Sequence, residues 1–358
     1  MTTAPYLPAV EAMVRTSHEQ RVTLTLTAGA DTWTTVLLGG DLTMEEGWSP
    51  RGQLNAVIPN IFTPAQLAAI DPRTSIVRAT INAGYVHPDG TVDVHQLFDG
   101  HLRERRVMRR SNTIQLQALT DEGLAHDARW LETDEFKSFA GVTEALAWFA
   151  SYATGQTITM DSSVATGYRA DLTASIPTAP GRPVWEFMDE LCLAAGVHCF
   201  VDADGAWKIR GKVSEASTTD VTVLGDVGDS EDGLTRDNDY YSAAVIKYAW
   251  RDALDVDHEI IGRYGSLPGR VFYAERETAA TQTAANDAAA SIVASMSSRG
   301  DSYAGTSPAC YWLRPSRTVR VTLADDTTRD QILKSVVFQL AAGTMRTITR
   351  QPSNLGDA

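Results

Sequence analysis

The stretch Arg182–Gly211, RPVWEFMDELCLAAGVHCFVDADGAWKIRG, holds a helix, its stop and a hairpin in one run. Trp185, Met188, Leu191, Cys192 and Ala195 recur at three- and four-residue spacing, the signature of a helix buried along one stripe. Pro183 suits a first helical position, and Gly196 stands where a left-handed stop belongs. Beyond it, His198–Val201 and Ala206–Ile209 are short β-prone runs joined through Asp204-Gly205, a preferred pair for a tight turn. A calcium loop would need glycine at its sixth position and glutamate at its twelfth, and Gly205 directly after Asp204 makes the loop too short. The stretch therefore reads as helix, hairpin, strand, with its apolar stripe serving as core.

Working outward, the N-terminal part alternates with the period of half-buried strands: Val22, Leu24 and Leu26 against Thr23, Thr25 and Thr27. Strands are expected at Thr34–Leu38, Gln53–Ile58, Ile76–Val86, Thr91–Leu97 and Thr113–Ala118, with Asp89-Gly90 as a second hairpin turn. A short helix capped by Thr63 and begun by Pro64 turns Leu67 and Ile70 inward. Strands this closely spaced suggest a barrel or sandwich. A helix over Val142–Tyr152, ending near Gly155, then precedes the Trp185 helix. The acidic run GDVGDSEDG (Gly225–Gly233) reads as a loop or linker. After it come strands at Ser242–Trp250 and Val271–Tyr273, and an alanine-rich helix over Ala279–Ser298 stopped at Gly300. Further strands are read at Cys310–Leu313, Thr318–Leu323 and from Val336–Leu340 towards Thr347. The expected organisation is a β domain with an N-terminal arm over 1–126, a smaller α/β domain over 127–216, and a β domain with one long helix over 217–358.

The 358 residues exceed what one core usually serves, and 43% hydrophobic with 21% charged residues is ordinary for a folded chain. A net charge of −14 argues against general nucleic-acid affinity, which rests on lysine and arginine displacing counterions. Cys192, Cys199 and Cys310 are too few for a disulfide framework and fit a reducing cytosol. The N-terminus lacks the pattern of a secretion signal, and no run of about 18 apolar residues occurs, so a soluble protein without membrane insertion is expected.

Catalytic motifs are near misses. His18-Glu19-Gln20-Arg21-Val22 and His258-Glu259-Ile260-Ile261-Gly262 begin like a zinc-protease helix but lack the second histidine. No G-x-S-x-G elbow occurs, and Gly211-Lys212 lacks the glycine and hydroxyl partners of a phosphate loop. Asp93, His95, Asp99 and His101 share parity and would face one way on an unbroken strand, but Asp99-Gly100 is expected to break it, which favours a solvated polar face over a metal site. Cys192, His198 and Cys199 are separated by the helix end at Gly196 and read as core. The acidic pairs Glu45-Glu46 and Glu132 with Asp134-Glu135 could serve glycoside hydrolysis, although a chain with 45 acidic residues offers such pairs by chance. No catalytic, cofactor-binding or metal residue is assigned, and no enzyme activity is expected.

Four stretches taken together, LFDGHLRERRVMRRSNTIQLQALTDEGLAHDARW (Leu97–Trp130), Arg182–Gly211, GLTRDNDYYSAAVIKY (Gly233–Tyr248) and the strand-then-helix segment Arg270–Gly300, resemble in kind and order the hub proteins of long-tailed phage tails, the baseplate hub or minor tail protein family. The resemblance spans about residues 97–300. It implies a homotrimer in which each chain supplies two related β-barrels, so that six barrels continue the tail tube as a ring. It also implies contact with the distal tail protein ring, the tape-measure protein and tip or fibre proteins, in a virion component assembled in the host cytoplasm. Larger relatives carry hydrolase or receptor-binding extensions; this chain stops at Ala358, so no lytic or receptor role is expected. DNA would pass the ring without specific binding, past a lumen for which Asp226, Asp229, Glu231 and Asp232 are candidates. The competing expectation is a carbohydrate-binding or carbohydrate-active tail-tip β-protein.

Overall fold

The computed structural model describes residues 19–131, 135–162, 174–178, 180–213, 215–217, 221–224, 230–234, 240–251, 256–277, 279–297, 301–322 and 327–352. The chain is mainly β. It begins with β1 (Glu19–Ala28), β2 (Asp31–Val36), β3 (Gly39–Glu45) and β4 (Gly52–Pro59), then α1 (Pro64–Ala69), β5 (Arg78–Val86), β6 (Val92–Met108) and β7 (Thr113–Leu119). The middle holds α2 (Glu122–Asp127), β8 (Glu135–Phe139), α3 (Val142–Thr154), β9 (Asp161–Ser162), β10 (Ala174–Thr178), α4 (Val184–Ala195), β11 (Val197–Val201) and β12 (Trp207–Gly211). The last part has β13 (Val221–Val223), β14 (Ser230–Leu234), β15 (Ala243–Arg251), β16 (Asp257–Gly265), β17 (Val271–Arg276), α5 (Gln282–Ser297), β18 (Asp301–Pro308), β19 (Thr318–Thr322), β20 (Thr328–Gln339) and β21 (Thr344–Arg350).

One 13-stranded sheet takes strands from both ends of the chain, in the order β14-β18-β21-β20-β3-β4-β7-β6-β5-β1-β2, with β19 also on β20 and β13 on β19. The join is β3 against β20, where Leu42 lies opposite Phe338 and Met44 opposite Val336. Laid flat, the seven strands from β3 to β2 would set those two roughly 29 Å apart at ~4.8 Å per strand. Yet only Leu37 and Leu38 connect β2 to β3, a reach of at most about 11 Å. This part of the sheet must therefore roll on itself around Leu24, Leu26, Leu54, Ile58, Ile81 and Tyr85, all fully buried. The described ladders do not close the roll into a barrel.

A second core packs α3 and α4 against the hairpin β11–β12, with Phe149 stacked on Phe187 at 5.3 Å and Trp130 fully buried among Trp148, Phe149 and Tyr152. A third, smaller core lies between α5 and the sheet β16-β15-β17, where Gly262 brings strand and helix so close that a Cβ would lie 2.2 Å from the Ala285 carbonyl oxygen.

The opening stretch folds largely as its spacing dictates. Gly196 ends α4 at φ +68°, and the β11–β12 hairpin turns at Gly205 with φ +77°. The buried stripe of α4 is Val184, Phe187, Met188, Leu191, Cys192 and Ala195, so Met188, Leu191, Cys192 and Ala195 are buried as expected and Phe187 takes the inner place expected of Trp185. Trp185 sits at its border, half-buried and stacked on His126 at 5.0 Å. Thr63 and Gln66 form a reciprocal capping box at α1, with Ile70 fully buried, as expected.

Several expectations are corrected. β3 and β16 are strands the periodicity missed. Cys310–Leu313 is a buried turn, not a strand, preceded by β18. The apolar run Val336–Leu340 belongs mostly to β20, which turns back into β21. Part of the acidic run is strand β14 on β18, while Gly225–Asp229 lies outside the described residues. Asp99-Gly100 does not break β6, which continues to Met108 with a bulge at Leu97, where Phe98 pairs with Ile81 and Gln96 with Asn82.

Candidate functional site

The bulge decides the fate of the Asp93, His95, Asp99 and His101 set, because one extra residue inverts which face later side chains take. Asp93 and His95 pair with Tyr85 and Ala83, on the core side, whereas Asp99 and His101 pair with Thr80 and Arg78. Asp93 accepts from His95 Nε2 at 2.7 Å and lies 3.6 Å from His87 Nε2. On the other face, Arg78 donates to Asp99 at 2.7 Å and to Asp121 at 2.6 Å, and His101 Nδ1 meets Asp121 at 3.2 Å. Burial alone would raise the Asp121 carboxyl, but His101 and Arg78 hold it below its usual range; for Asp99 burial wins and the carboxyl is raised. These are two separate polar clusters, and the second meets the tip of the β11–β12 hairpin, where a Cβ on Gly205 would lie 2.8 Å from Asp99 Oδ2.

That meeting belongs to a larger seam where the rolled sheet, the helical middle part and the C-terminal strands converge. Glu46, after β3, receives two bonds from the Arg350 guanidinium at 2.9 and 3.0 Å, and Ser316 Oγ donates at 2.8 Å. The two side chains are 9% and 8% exposed. Arg350 also donates to the Val213 carbonyl. Burial by itself would raise the Glu46 carboxyl, yet the Arg350 and Ser316 bonds hold it below the ordinary value. Of the expected pair Glu45-Glu46, then, Glu46 is a buried fastener with its charge already matched.

Arg51 and Glu122 fasten a second point of the seam. Glu122 is fully buried and accepts the Val201 N–H at 2.9 Å and the Arg51 N–H at 3.4 Å. The Arg51 guanidinium lies 3.8 Å over the Phe200 ring and donates to the Pro315 carbonyl at 3.0 Å. Burial pushes Arg51 down to about 10 and raises Glu122. A third point is a chain of bonds inside the core: Tyr85 OH donates to the Ala309 carbonyl at 2.5 Å and accepts from Tyr311 N at 3.1 Å. Tyr311 OH then donates to Gln20 Oε1 at 2.7 Å, and Gln20 Nε2 donates to the Gly343 carbonyl at 2.8 Å.

Elsewhere the chemistry is thin. Ser49 Oγ and His126 Nε2 are 2.9 Å apart, but among the described residues no carboxylate accepts from His126 Nδ1 to orient it as a general base. The helix end at Gly196 brings Cys192 and Cys199 together rather than apart: both are buried free thiols, with Cys199 raised by its bond to Cys192 and by burial. His198 is on the other face of β11, pushed down to about 4 by burial. His258 to Gly262 lies on β16, which cannot present a metalloprotease helix face. His18, Glu132 and Asp134 fall outside the described residues, as does the side chain of Glu135. A cleft of about 420 Å³ between α4 and β15–β17 is lined by Arg182, Glu190, Lys247, Ala249, Glu275, Arg276 and Glu277, charges of both signs that leave no net field for a single ion.

No protein-family profile and no curated protein sequence matches the chain. Solved structures do. The 43 kDa tail protein of prophage MuSo2 from Shewanella oneidensis superposes with a TM-score of 0.65 at 14% identity, over 94% of this chain and 100% of that one. The tail protein from Neisseria meningitidis MC58 gives 0.63 at 12% identity, over 92% and 96%. The prophage tail protein gp18 from Listeria monocytogenes EGD-e gives 0.55 at 7%, over 92% and 95%. At these identities the likeness establishes a shared fold, present over almost the whole chain.

Proposed function

We propose that this chain is a structural virion protein of a phage tail, acting as the hub that continues and closes the tail tube at its tip. The observation that carries the reading is the near-complete fold shared with phage and prophage tail proteins, joined to a seam whose charged groups are spent on fastening the chain to itself. In this reading the rolled strands β3-β4-β7-β6-β5-β1-β2 are one tube-like unit and β14-β18-β21-β20-β19-β13 the second, related unit. The domains are then 1–126, 127–216 and 217–358. Three chains would set six such units in a ring, touching the distal tail ring, the tape-measure protein and tip or fibre proteins. The ring stays in the virion and passes DNA without binding it. Of the lumen candidates, Glu231 is exposed, whereas Asp226 and Asp229 lie outside the described residues, as does the side chain of Asp232.

A continuous sheet spanning both ends of the chain suits this role, because a ring element must transmit load without unzipping. Breaking the β3–β20 join would require loss of a full ladder and its buried Leu42–Phe338 contact. The reading also makes the protein a non-enzyme. Native mass spectrometry of the purified chain should give a three-chain mass, and a peptidoglycan zymogram should stay uncleared. A strictly monomeric protein that clears the gel, with clearing lost on mutation of one of its own residues, would overturn the reading.

A further inference from the structure

The chain is acidic, but one hairpin arm is not. Between residues 19 and 126 there are nine Lys and Arg, and five of them, Arg103, Arg105, Arg106, Arg109 and Arg110, fall within eight residues of the β6–β7 hairpin. The first three are engaged: Arg103 with Asp127, Arg105 with the Leu67 carbonyl and Arg106 with Glu104. Arg109 and Arg110, at the turn itself, are exposed and have no partner among the described residues. The turn is held rigidly. Asn112 takes φ +50°, its carbonyl accepts from Asn60 N at 2.9 Å, and Ser111 Oγ bonds Thr113 Oγ1 at 2.7 Å. The Asn60 bond sets Ile61, 62% exposed, beside the tip, and Met108 on its own arm is 43% exposed.

We infer that this hairpin tip is a docking element for an acidic surface on a second copy of the same chain. Two unpaired arginines flanked by exposed Met and Ile have the composition of an interface centre, where Arg and Met are enriched and Lys is depleted. Pre-ordering of the turn lowers the entropic cost of docking. The occupant follows from charge. Two copies of net charge −14 repel overall, but within residues 127–216 Asp161, Asp189 and Glu215 are exposed and have no hydrogen-bond or ion-pair partner among the described residues, so a neighbouring copy offers a local acidic complement at the concentration of the assembly itself. Nucleic acid fits less well, because two arginines neutralise too few phosphates to hold a duplex. The inference rests on the multi-chain ring proposed above and names the contact that builds it.

The test is sedimentation of the full-length protein in salt of about 50 mM and about 500 mM, a range across which exposed charge pairs are progressively screened. Wild type should self-associate at low salt and weaken at high salt. Arg109→Glu with Arg110→Glu should weaken association by about thirtyfold, the scale of an interfacial arginine hot spot, with an unchanged thermal midpoint because both side chains are exposed. Arg263→Glu, an exposed arginine on β16, should leave association unaltered. If oligomers form and the hairpin variant matches wild type, this inference fails while the ring reading stands. If wild type is monomeric at both salts, both fail. If wild type instead retains duplex DNA and the hairpin variant loses it without any change in self-association, the occupant is nucleic acid and the inference is overturned.

Discussion

Replacing Arg350 with methionine should be among the most damaging single changes in the chain. The substitution keeps most of the side-chain volume but removes both bonds to Glu46 and the bond to the Val213 carbonyl. With Glu46 9% exposed, little solvent screening discounts the loss. Removing one member of a buried, bidentate pair leaves an uncompensated charge and costs about 3–5 kcal/mol. The pH dependence supplies a signature that simple loss of packing lacks. In wild type the Glu46 carboxyl lies below its ordinary value of about 4.5, so its contribution is present above that value and is lost as pH falls through the lower folded value. In Arg350→Met the Ser316 bond remains but the guanidinium that outweighed burial is gone, so the Glu46 carboxyl rises, and the penalty is full at neutral pH and shrinks as pH falls and Glu46 takes up a proton. Urea unfolding followed by tryptophan fluorescence at pH 7.5 and near pH 5 measures both. Adding Glu46→Gln should recover roughly 1–3 kcal/mol at pH 7.5, because two neutral groups replace an orphaned charge. A penalty under about 1 kcal/mol at neutral pH, or one that grows on acidification, would show that Arg350 and Glu46 do not act as a buried charge pair.

Phe338→Ala removes a fully buried ring from the β3–β20 join and should cost about 3–5 kcal/mol, read as a lowered unfolding midpoint. Gly262→Ala should loosen α5 from its sheet, because the new Cβ has backbone 2.2 Å away; hydrogen exchange should rise across Ala243–Ser297 while the rolled sheet keeps its protection. Trp130→Ala should cost about 3–5 kcal/mol, and Trp185→Ala clearly less, since only Trp130 is fully buried; equal thermal shifts would contradict the assigned stripe.

The parts legible in the sequence are those whose cause is local. Gly196, Asp204-Gly205 and the Thr63 cap announce themselves because a left-handed stop, a tight turn and a reciprocal cap each need only a few adjacent residues. On the α4 stripe only Trp185 differs from its expected place, because Trp185 and Phe187 both border the inner face and helical spacing alone does not say which of two bulky residues turns fully inward. β3 carries two glycines and an aspartate and looks like a turn; its partner β20 lies nearly the whole chain away, so no local pattern reports the pairing. β16 is polar along an exposed edge and lost its alternation for that reason. The seam was illegible as well. Glu46 and Glu122 look like any two of 45 acidic residues until Arg350 and the Val201 amide are placed beside them, and the bulge at Leu97 redistributes four polar residues that simple parity put on one face.

Whether the chain is the tail hub proposed here is decided by a reconstruction of the particle with this chain located in it. The proposed hub would appear as a threefold ring at the tail tip, coaxial with the tube, in which β1–β7 and β13–β14 with β18–β21 of each chain occupy adjacent, related positions around the channel. A chain found as single copies on the outside of the tail, or absent from the particle, would contradict it.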